Sequence, residues 1–521
     1  MGRIMDNNNR TSKSIRNSIY ALLGQIITII LNFVSRTVFI HTLGSIYLGL
    51  NGLFTNLLSV LSFAELGFST AIIYEMYSPL ALNDKPQIAS LMNLYAKIYK
   101  YIGTGIFIVG LLLIPFLHNF IKDPSIIPTN SSPLWLIYLL FLTNTSLSYF
   151  FNYKRSIIVA SQNGYIDTIN QIKFNLIKNI LQIAILYLYG SFILFLIIQL
   201  LCTLMGNISI SKKADKLFPY LKELKGERVS SKTIKSIRKN VFAMAFNKLG
   251  GVVVGGVDNL FISKYIGVIA VGYYSNYLLI ISTVRMIFIQ IFSPITASVG
   301  NFVVNKSKEE AYIFFKKLFF INTYFATISS ICLATLINPF IDIFWGKEYT
   351  LSLTLTLAIV LNFYIDRIRQ TSQIYIDVKG LFWQIKWRSL TEAIVNIILV
   401  LFLLKKGMEL QGVVGGILIT NIIINFWWEP YVVFKYYFQR NFWTYIGWNL
   451  KYFLTALFSY LIINFIISTL NVTPTQYFII TLLLSLIIPN IIITILYHRT
   501  QEFQYLLNIV RNNIIKKIAI K

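Results

Sequence analysis

Apolar residues run along almost the whole chain in stretches of about twenty, broken by short polar segments. A helix of that length crosses the roughly 30 Å hydrocarbon core of a bilayer. About fourteen spans are predicted, near 17–40, 46–76, 97–117, 134–158, 168–189, 191–211, 241–264, 271–299, 313–337, 351–377, 385–404, 412–434, 447–469 and 476–497. Residues at i, i+4, i+7 and i+11 of a helix share a face. Span ten therefore places Asn362, Asp366, Arg369, Gln370, Gln373 and Asp377 on one side, with Arg367 about 100° away. Span one aligns Ser18, Gln25, Asn32 and Arg36, and span two aligns Asn51, Thr55, Ser62, Glu65 and Ser69. Span five aligns Gln171, Asn175, Lys178 and Gln182. Span seven carries Lys248 with Asn259, beside an Asn247 and Asp258 stripe. Span eight places Tyr274, Arg285 and Thr296 in a row. Spans thirteen and fourteen have no ionisable residue in their middle, and are expected to face lipid or an acyl chain.

The cations in these stripes carry the first functional signal. Arg36, Lys178, Lys248, Arg285, Arg367 and Arg369 lie well inside apolar runs. A cation at bilayer depth costs from about 2.5 to more than 10 kcal/mol, so it requires water, a carboxylate or an anionic ligand. A single Asn, Ser or Gln in a membrane helix is more simply read as glue between helices. Several cations in different spans point instead to a shared wet space that takes an anion. The carboxylates Glu65, Asp258, Asp366, Glu392 and Glu429 have two readings, as fixed partners of the cations or as groups that couple transport to H+ or Na+.

Charge outside the spans sets orientation. With the N-terminus in the cytoplasm, the inside segments hold Arg3, Arg10, Lys154, Arg155, Lys173, a run from Lys212 to Lys239, Lys306, Lys316, Arg388, Arg440 and the tail from Arg499. The outside loops hold Lys122, Lys264, Lys347, Lys405 and Lys406. That asymmetry follows the positive-inside rule and places both termini in the cytoplasm. It also absorbs most of the net charge of +26, so no nucleic-acid partner is inferred. With 56% hydrophobic and 13% charged residues and a mean hydropathy of +0.66, the chain is read as an all-α polytopic membrane protein.

The segment Leu43-Gly44-Ser45-Ile46-Tyr47-Leu48-Gly49 is echoed by Ile266-Gly267-Val268-Ile269-Ala270-Val271-Gly272, at an offset of 223 residues. An offset of six spans preserves orientation, so the halves are expected to be parallel repeats. The expected domains are 1–211 (spans one to six), a basic connector at 212–240, 241–438 (spans seven to twelve), 439–500 (spans thirteen and fourteen) and an amphipathic tail at 501–521. The aromatic run Tyr436, Tyr437, Phe438, Phe442, Trp443, Tyr445 and Trp448 is read as anchoring at the membrane interface.

Enzymatic signals are weak. The three histidines, His41, His118 and His498, have no metal-ligand spacing, and Cys202 and Cys332 lie in apolar runs. No nucleophile elbow or phosphate loop occurs. No catalytic residue, metal or cofactor is therefore expected.

Three patches resemble bacterial polysaccharide flippases of the multidrug, oligosaccharidyl-lipid and polysaccharide exporter superfamily. They are Gly49-Leu50-Asn51-Gly52-Leu53-Phe54 continuing through Phe63-Ala64-Glu65-Leu66-Gly67-Phe68, Val257-Asp258-Asn259-Leu260-Phe261 through Tyr277, and Phe344-Trp345-Gly346-Lys347-Glu348-Tyr349. The resemblance implies two six-helix lobes around a central cleft with two further helices. It implies a substrate of an oligosaccharide repeat unit on polyprenyl pyrophosphate, flipped across the bacterial cytoplasmic membrane for capsule, exopolysaccharide or O-antigen synthesis. A polysaccharide polymerase and glycosyltransferases are the implied partners. Only Glu65 and Asp258 lie inside matching patches. A cation-coupled multidrug exporter and a membrane polysaccharide polymerase or ligase are the alternatives. The surplus of deep cations argues against the first, and the short outer loops against the second.

Overall fold

A computed structural model describes residues 2–65, 68–127, 133–223, 229–231, 233–235, 237–238, 241, 255–470 and 473–518. The described residues are helical throughout, without a strand, and fall into two compact units, Met1–Gly272 and Tyr273–Lys521.

Unit 1 is built from α1 (Gly2–Leu61), α2 (Phe68–Leu82), α3 (Lys85–Leu112), α4 (Leu134–Asn152), α5 (Arg155–Ala160), α6 (Gly164–Tyr189), α7 (Phe192–Leu217) and α8 (Tyr220–Glu223). A further helical stretch at 255–261 runs into a π-helical turn, Ile262–Ile266. The helix ends follow local chemistry. Asp84 accepts from the backbone N–H of Gln87 to start α3, and Ser191 does the same for Leu194 in α7. Gly190, at φ 56°, closes α6 in the left-handed conformation that favours glycine. The core gathers Leu48, Leu50, Leu53 and Phe54 of α1 with Ile88 and Leu91 of α3 and Ile137, Tyr138 and Leu142 of α4.

The repeated segment is a contact as well as a pattern. Gly44 and Gly267 both break the helix, at φ 76° and 132°. A Cβ on Gly49 would lie 1.9 Å from the carbonyl oxygen of Val268, and one on Gly272 would lie 2.8 Å from that of Ser45. Gly49 and Gly272 are related by the 223-residue offset, and so are Ser45 and Val268. The two turns therefore make a reciprocal contact of the isologous kind, as across a local two-fold axis. Glycine permits it because the backbones touch with no side chain between them.

Unit 2 contains α9 (Val268–Asn305, from Tyr273 onward), α10 (Lys308–Trp345), α11 (Leu353–Ile368), α12 (Gln370–Lys379), α13 (Arg388–Lys405), α14 (Glu409–Thr420), α15 (Phe426–Val432), α16 (Trp443–Ser468), α17 (Pro474–Tyr497) and α18 (Gln501–Ile518). Ser307 with Glu310, and Thr473 with Gln476, form capping boxes that start α10 and α17. α10 is the central helix, with Phe315 and Phe319 inside an aromatic core.

That core corrects the anchoring role expected of the aromatic run. Tyr437, Phe438 and Tyr445 are buried, and pack with Tyr312, Phe315, Phe319, Tyr375 and Phe434. Trp443 and Tyr436 remain exposed. Composition shows only that aromatics are abundant here; the facing helix decides which are covered. The start of the tail is likewise docked. Phe503 is buried with Phe320 and Ile493, and Glu502 pairs with Lys316 at 3.1 Å.

Eight helices among the described residues are long and apolar enough to cross a membrane, or nine if the bent pair Lys85–Leu112 and Ile114–Phe120 is one span. The protein is thus an all-α, multi-pass membrane protein. The number is below the expected fourteen for two physical reasons. The first two spans count as one in α1, which runs on past a kink at Gly44. Others are broken into shorter helices, as span ten is into α11 and α12, and most of span seven lies outside the described residues.

Candidate functional site

The polar stripe of span ten is cut by a break at Arg369, which ends α11 and begins α12. Asn322 donates to the carbonyl of Arg367 at 2.8 Å, satisfying backbone that the break exposes. The break sorts the charged side chains into two groups.

In the first group, Asp366 bridges two arginines. Its Oδ2 lies 3.0 Å from Arg285 Nη2 and 2.5 Å from Arg367 Nη2. Arg367 also donates to Gln370 at 3.3 Å and lies over the Phe288 ring. The Arg285 side chain is 46% exposed, whereas that of Arg367 is 8% exposed. Arg285 therefore offers donors to an incoming group, and Arg367 serves mainly to hold the carboxylate.

In the second group, Glu429 takes two arginines. Arg369 Nε and Nη2 lie 2.9 and 2.8 Å from Glu429 Oε2, and Arg388 Nε lies 3.2 Å from Oε1. Gln373 donates to the same carboxylate at 3.2 Å. Arg388 Nη1 continues to Glu392 at 2.9 Å and Asn425 at 2.6 Å. Asn425 donates to Glu392 and Asn421, and Asn421 donates to Asn362 at 2.9 Å. Glu429 lies between two π-helical turns, Asn421–Asn425 and Val433–Phe438. Such turns rotate the following side chains off the α-helical register and recur at functional sites. Together the two groups hold four arginines against three directly paired carboxylates, with Asp377 a fourth carboxylate in the field of Glu429.

The remaining expected residues fall elsewhere. Lys178 lies in unit 1, where it lines a polar pocket with Arg155 and Asn207. Arg36 is half-buried on α1, and Asp258 is buried on the 255–261 helix. Glu65 ends the 3-10 turn Ser62–Glu65 and accepts a short hydrogen bond from the Tyr99 hydroxyl. Tyr95 and Tyr149 ring Tyr99, with centroids 4.3 and 5.7 Å away. Lys248, with its neighbours Asn247 and Gly251, lies outside the described residues.

Arg388 was read from the sequence only as an inside charge that sets orientation. Its helical spacing to Glu392, and the i, i+4, i+8 row of Asn421, Asn425 and Glu429, were the available signals. Nothing in either row says that the two rows meet.

No family profile matches the chain, and neither does any curated protein. Solved structures do match. The lipid II flippase MurJ, in an inward closed conformation, superposes with a TM-score of 0.63 at 18% identity, over 93% of this chain and 99% of its own. An inward-facing multidrug resistance MATE family transporter of the MOP superfamily gives 0.61 at 13% identity, over 79% of this chain and 97% of its own. A MATE protein in complex with MaL6 gives 0.54 at 13% identity, over 82% and 96%. The chain is a multi-pass membrane protein with the fold of MOP-superfamily flippases and exporters.

Proposed function

We propose that the protein is a flippase for a lipid-linked oligosaccharide, moving a polyprenyl-pyrophosphate-linked repeat unit from the inner to the outer leaflet of a bacterial cytoplasmic membrane by alternating access. The observation that carries this reading is the set of four paired arginines in unit 2, of which Arg285 is half-exposed. Arginine binds phosphate oxygens through its forked donors, which suits a pyrophosphate. Arg285 would meet the pyrophosphate first, with Arg367 and Arg369 behind it. The match to MurJ, a flippase of lipid II, over nearly the full length of both chains supports the same substrate class.

The acyl tail has a suitable surface. An apolar groove of about 190 Å³ lies along Leu357, Val360 and Leu361 of α11 and Phe453 and Leu457 of α16. It is lined almost wholly by hydrocarbon, which suits a prenyl chain that stays in the bilayer while its head group moves. The half-exposed Arg285 disfavours the second reading, a multidrug exporter, because an arginine at the entry repels organic cations.

Coupling falls to Glu65 rather than Asp366. Asp366 and Glu429 are each committed to two arginines, so a proton there would break ion pairs. Glu65 meets tyrosine hydroxyls and has no cationic partner among the described residues, so its carboxylate is the one assigned here to coupling.

The test is flipping of a fluorescent lipid-linked oligosaccharide in proteoliposomes. Arg285→Ala and Arg369→Ala should each cut the rate at least about tenfold, the equivalent of one lost charge-assisted contact of about 1.4 kcal/mol. Wild-type transport in both variants would overturn the reading.

A further inference from the structure

The turn between the spans Glu409–Phe438 and Trp443–Ser468 builds a pocket that the arginine groups do not use. Both spans are long and apolar enough to cross a membrane, so the turn lies at a membrane surface. The orientation expected from loop charge makes it the cytoplasmic surface. The chain reverses at Gln439, at φ 56°, and the Arg440 N–H donates to the Phe434 carbonyl at 3.1 Å. On this joint lies an open cavity of about 800 Å³, lined by Trp427, Tyr431 and Lys435 from one span and Phe442, Trp443 and Ile446 from the other. Sites that enclose whole organic groups measure about 300–1,000 Å³, so the space is far more than one ion needs. Glu429 stands two residues from both Trp427 and Tyr431, on the opposite side of α15, inside the arginine network.

One wall is a run of packed aromatic rings. The Trp427 and Tyr431 centroids are 6.0 Å apart, those of Tyr431 and Phe442 5.8 Å, and those of Phe442 and Trp443 6.2 Å. Trp427 and Trp443 are exposed, and the Trp427 indole N–H is spent on the Ile423 carbonyl of its own helix. The charges divide. Arg440 pairs with Glu309 and lies 4.2 Å from the Tyr312 ring centroid, so its charge is balanced. Lys435 is exposed and has no carboxylate partner among the described residues. Its Nζ donates to the Tyr431 hydroxyl at 2.9 Å and lies 5.2 and 5.5 Å from the ring centroids of Tyr431 and Tyr436. Two amides are oriented through their oxygens. Gln439 Oε1 accepts from Lys308 at 3.4 Å, and Asn441 Oδ1 accepts from the Trp443 N–H at 2.9 Å. Both residues are exposed and line the cavity, and their amide N–H groups remain as donors.

Water meets Lys435 and the amides but leaves the aromatic wall uncovered. A neutral sugar stacks on the wall but brings no charge to the lysine. An inorganic anion meets the lysine and not the wall. An amphiphile with an anionic head meets all three. Tyrosine and tryptophan settle at the head-group level of a bilayer, and a lysine near a span end extends toward it. Along α16 from the pocket, Leu450, Leu454 and Leu461 are exposed and continue the face of Ile446 at helical spacing, a track for an acyl chain. We infer that this pocket holds the head group of an anionic glycerophospholipid, with Lys435 as the partner of its phosphate and the Gln439 and Asn441 amides as neutral donors. The rings of Trp427, Tyr431, Phe442 and Trp443 then cover its glycerol and upper acyl carbons. This lipid belongs to the surrounding membrane and is distinct from any transported substrate, so the inference goes beyond the flippase reading and does not rest on it.

The test is native mass spectrometry of the full chain in detergent, titrated with dioleoyl phosphatidylglycerol and, separately, with dioleoyl phosphatidylcholine. The wild type should take up one phosphatidylglycerol at least about fivefold more tightly than phosphatidylcholine, as expected for one lysine at an anionic head group. Lys435→Gln should erase that preference, and Trp427→Ala should weaken uptake of both lipids. Lys405→Gln, which removes an exposed lysine at the end of α13 outside the pocket, should bind as the wild type does. Lys435 and Trp427 are both exposed, so their variants should fold, as checked by melting temperature without added lipid. No preference in the wild type, a preference that survives in Lys435→Gln, or one that falls equally in Lys405→Gln overturns the site. Displacement of the lipid by equimolar glycerol 1-phosphate or maltotriose gives the pocket to a soluble anion or a sugar and overturns the lipid assignment.

Discussion

Replacing Gly49 with alanine probes the reciprocal turn contact directly. The added Cβ would lie 1.9 Å from Val268 O and 2.5 Å from Val268 Cγ1. Reaching an ordinary contact of 3.4 Å requires 3.4 − 1.9 = 1.5 Å of movement, and the obstacle is a backbone oxygen that no rotamer change removes. Overpacking of this kind costs about 1–3 kcal/mol, and a backbone clash belongs at about 3. Gly272→Ala meets Ser45 O at 2.8 Å, needs only 3.4 − 2.8 = 0.6 Å, and should cost about 1 kcal/mol. Both substitutions press on one interface, so the double variant should cost less than the sum of the singles. Gly105→Ala, on a helix with nothing within 4 Å of the new Cβ, should be neutral or slightly stabilising. Thermal unfolding in detergent, followed by the fluorescence of the eight tryptophans, supplies the assay. A Gly49→Ala protein that melts with the wild type, or a fully additive double variant, would refute the shared contact.

Glu429→Leu should destabilise unit 2 by about 3–5 kcal/mol, because it leaves Arg369 and Arg388 buried without their carboxylate. Adding Arg369→Met should recover part of that loss in the same melting assay, and no recovery would show that Arg369 does not depend on Glu429. Glu65→Gln should abolish acceleration of flipping by an imposed pH or Na+ gradient while leaving binding of the lipid-linked substrate intact; unchanged gradient dependence would remove Glu65 from coupling. Cysteines introduced at Ser125 and Lys306 should be labelled by an impermeant reagent from the outside and the inside respectively, and the reverse pattern would overturn the orientation.

Most helix positions were legible in the chain because apolar length and caps act locally, but span two, expected at 46–76, is cut by the Ser62–Glu65 turn. Twenty apolar residues, a Ser191 or Thr473 cap and a Gly190 or Gly380 stop act within a few residues of one another. The burial of Arg367 and Arg369 accords with their place inside an apolar run, whereas Arg285, placed in the same way, is half-exposed. The repeat was legible as a pattern of glycines, though not as two turns in contact.

Partnership was decided by the tertiary structure alone. Periodicity places Asp366, Arg369 and Gln373 on one face of span ten, yet the break at Arg369 gives Asp366 to Arg285 and Arg367, and gives Arg369 and Gln373 to Glu429. Arg388 became part of the buried network through contacts with residues 37 and 41 positions away, which no local signal records. The same holds for Tyr437 and Tyr445, which are core residues because α10 covers them. Sequence by itself determined that costly charges are buried in a membrane-spanning helical protein, since hydropathy and helical period act along one chain segment. Only the fold decided which charges cancel and which remain, because Coulomb energy depends on distances between segments far apart in the chain.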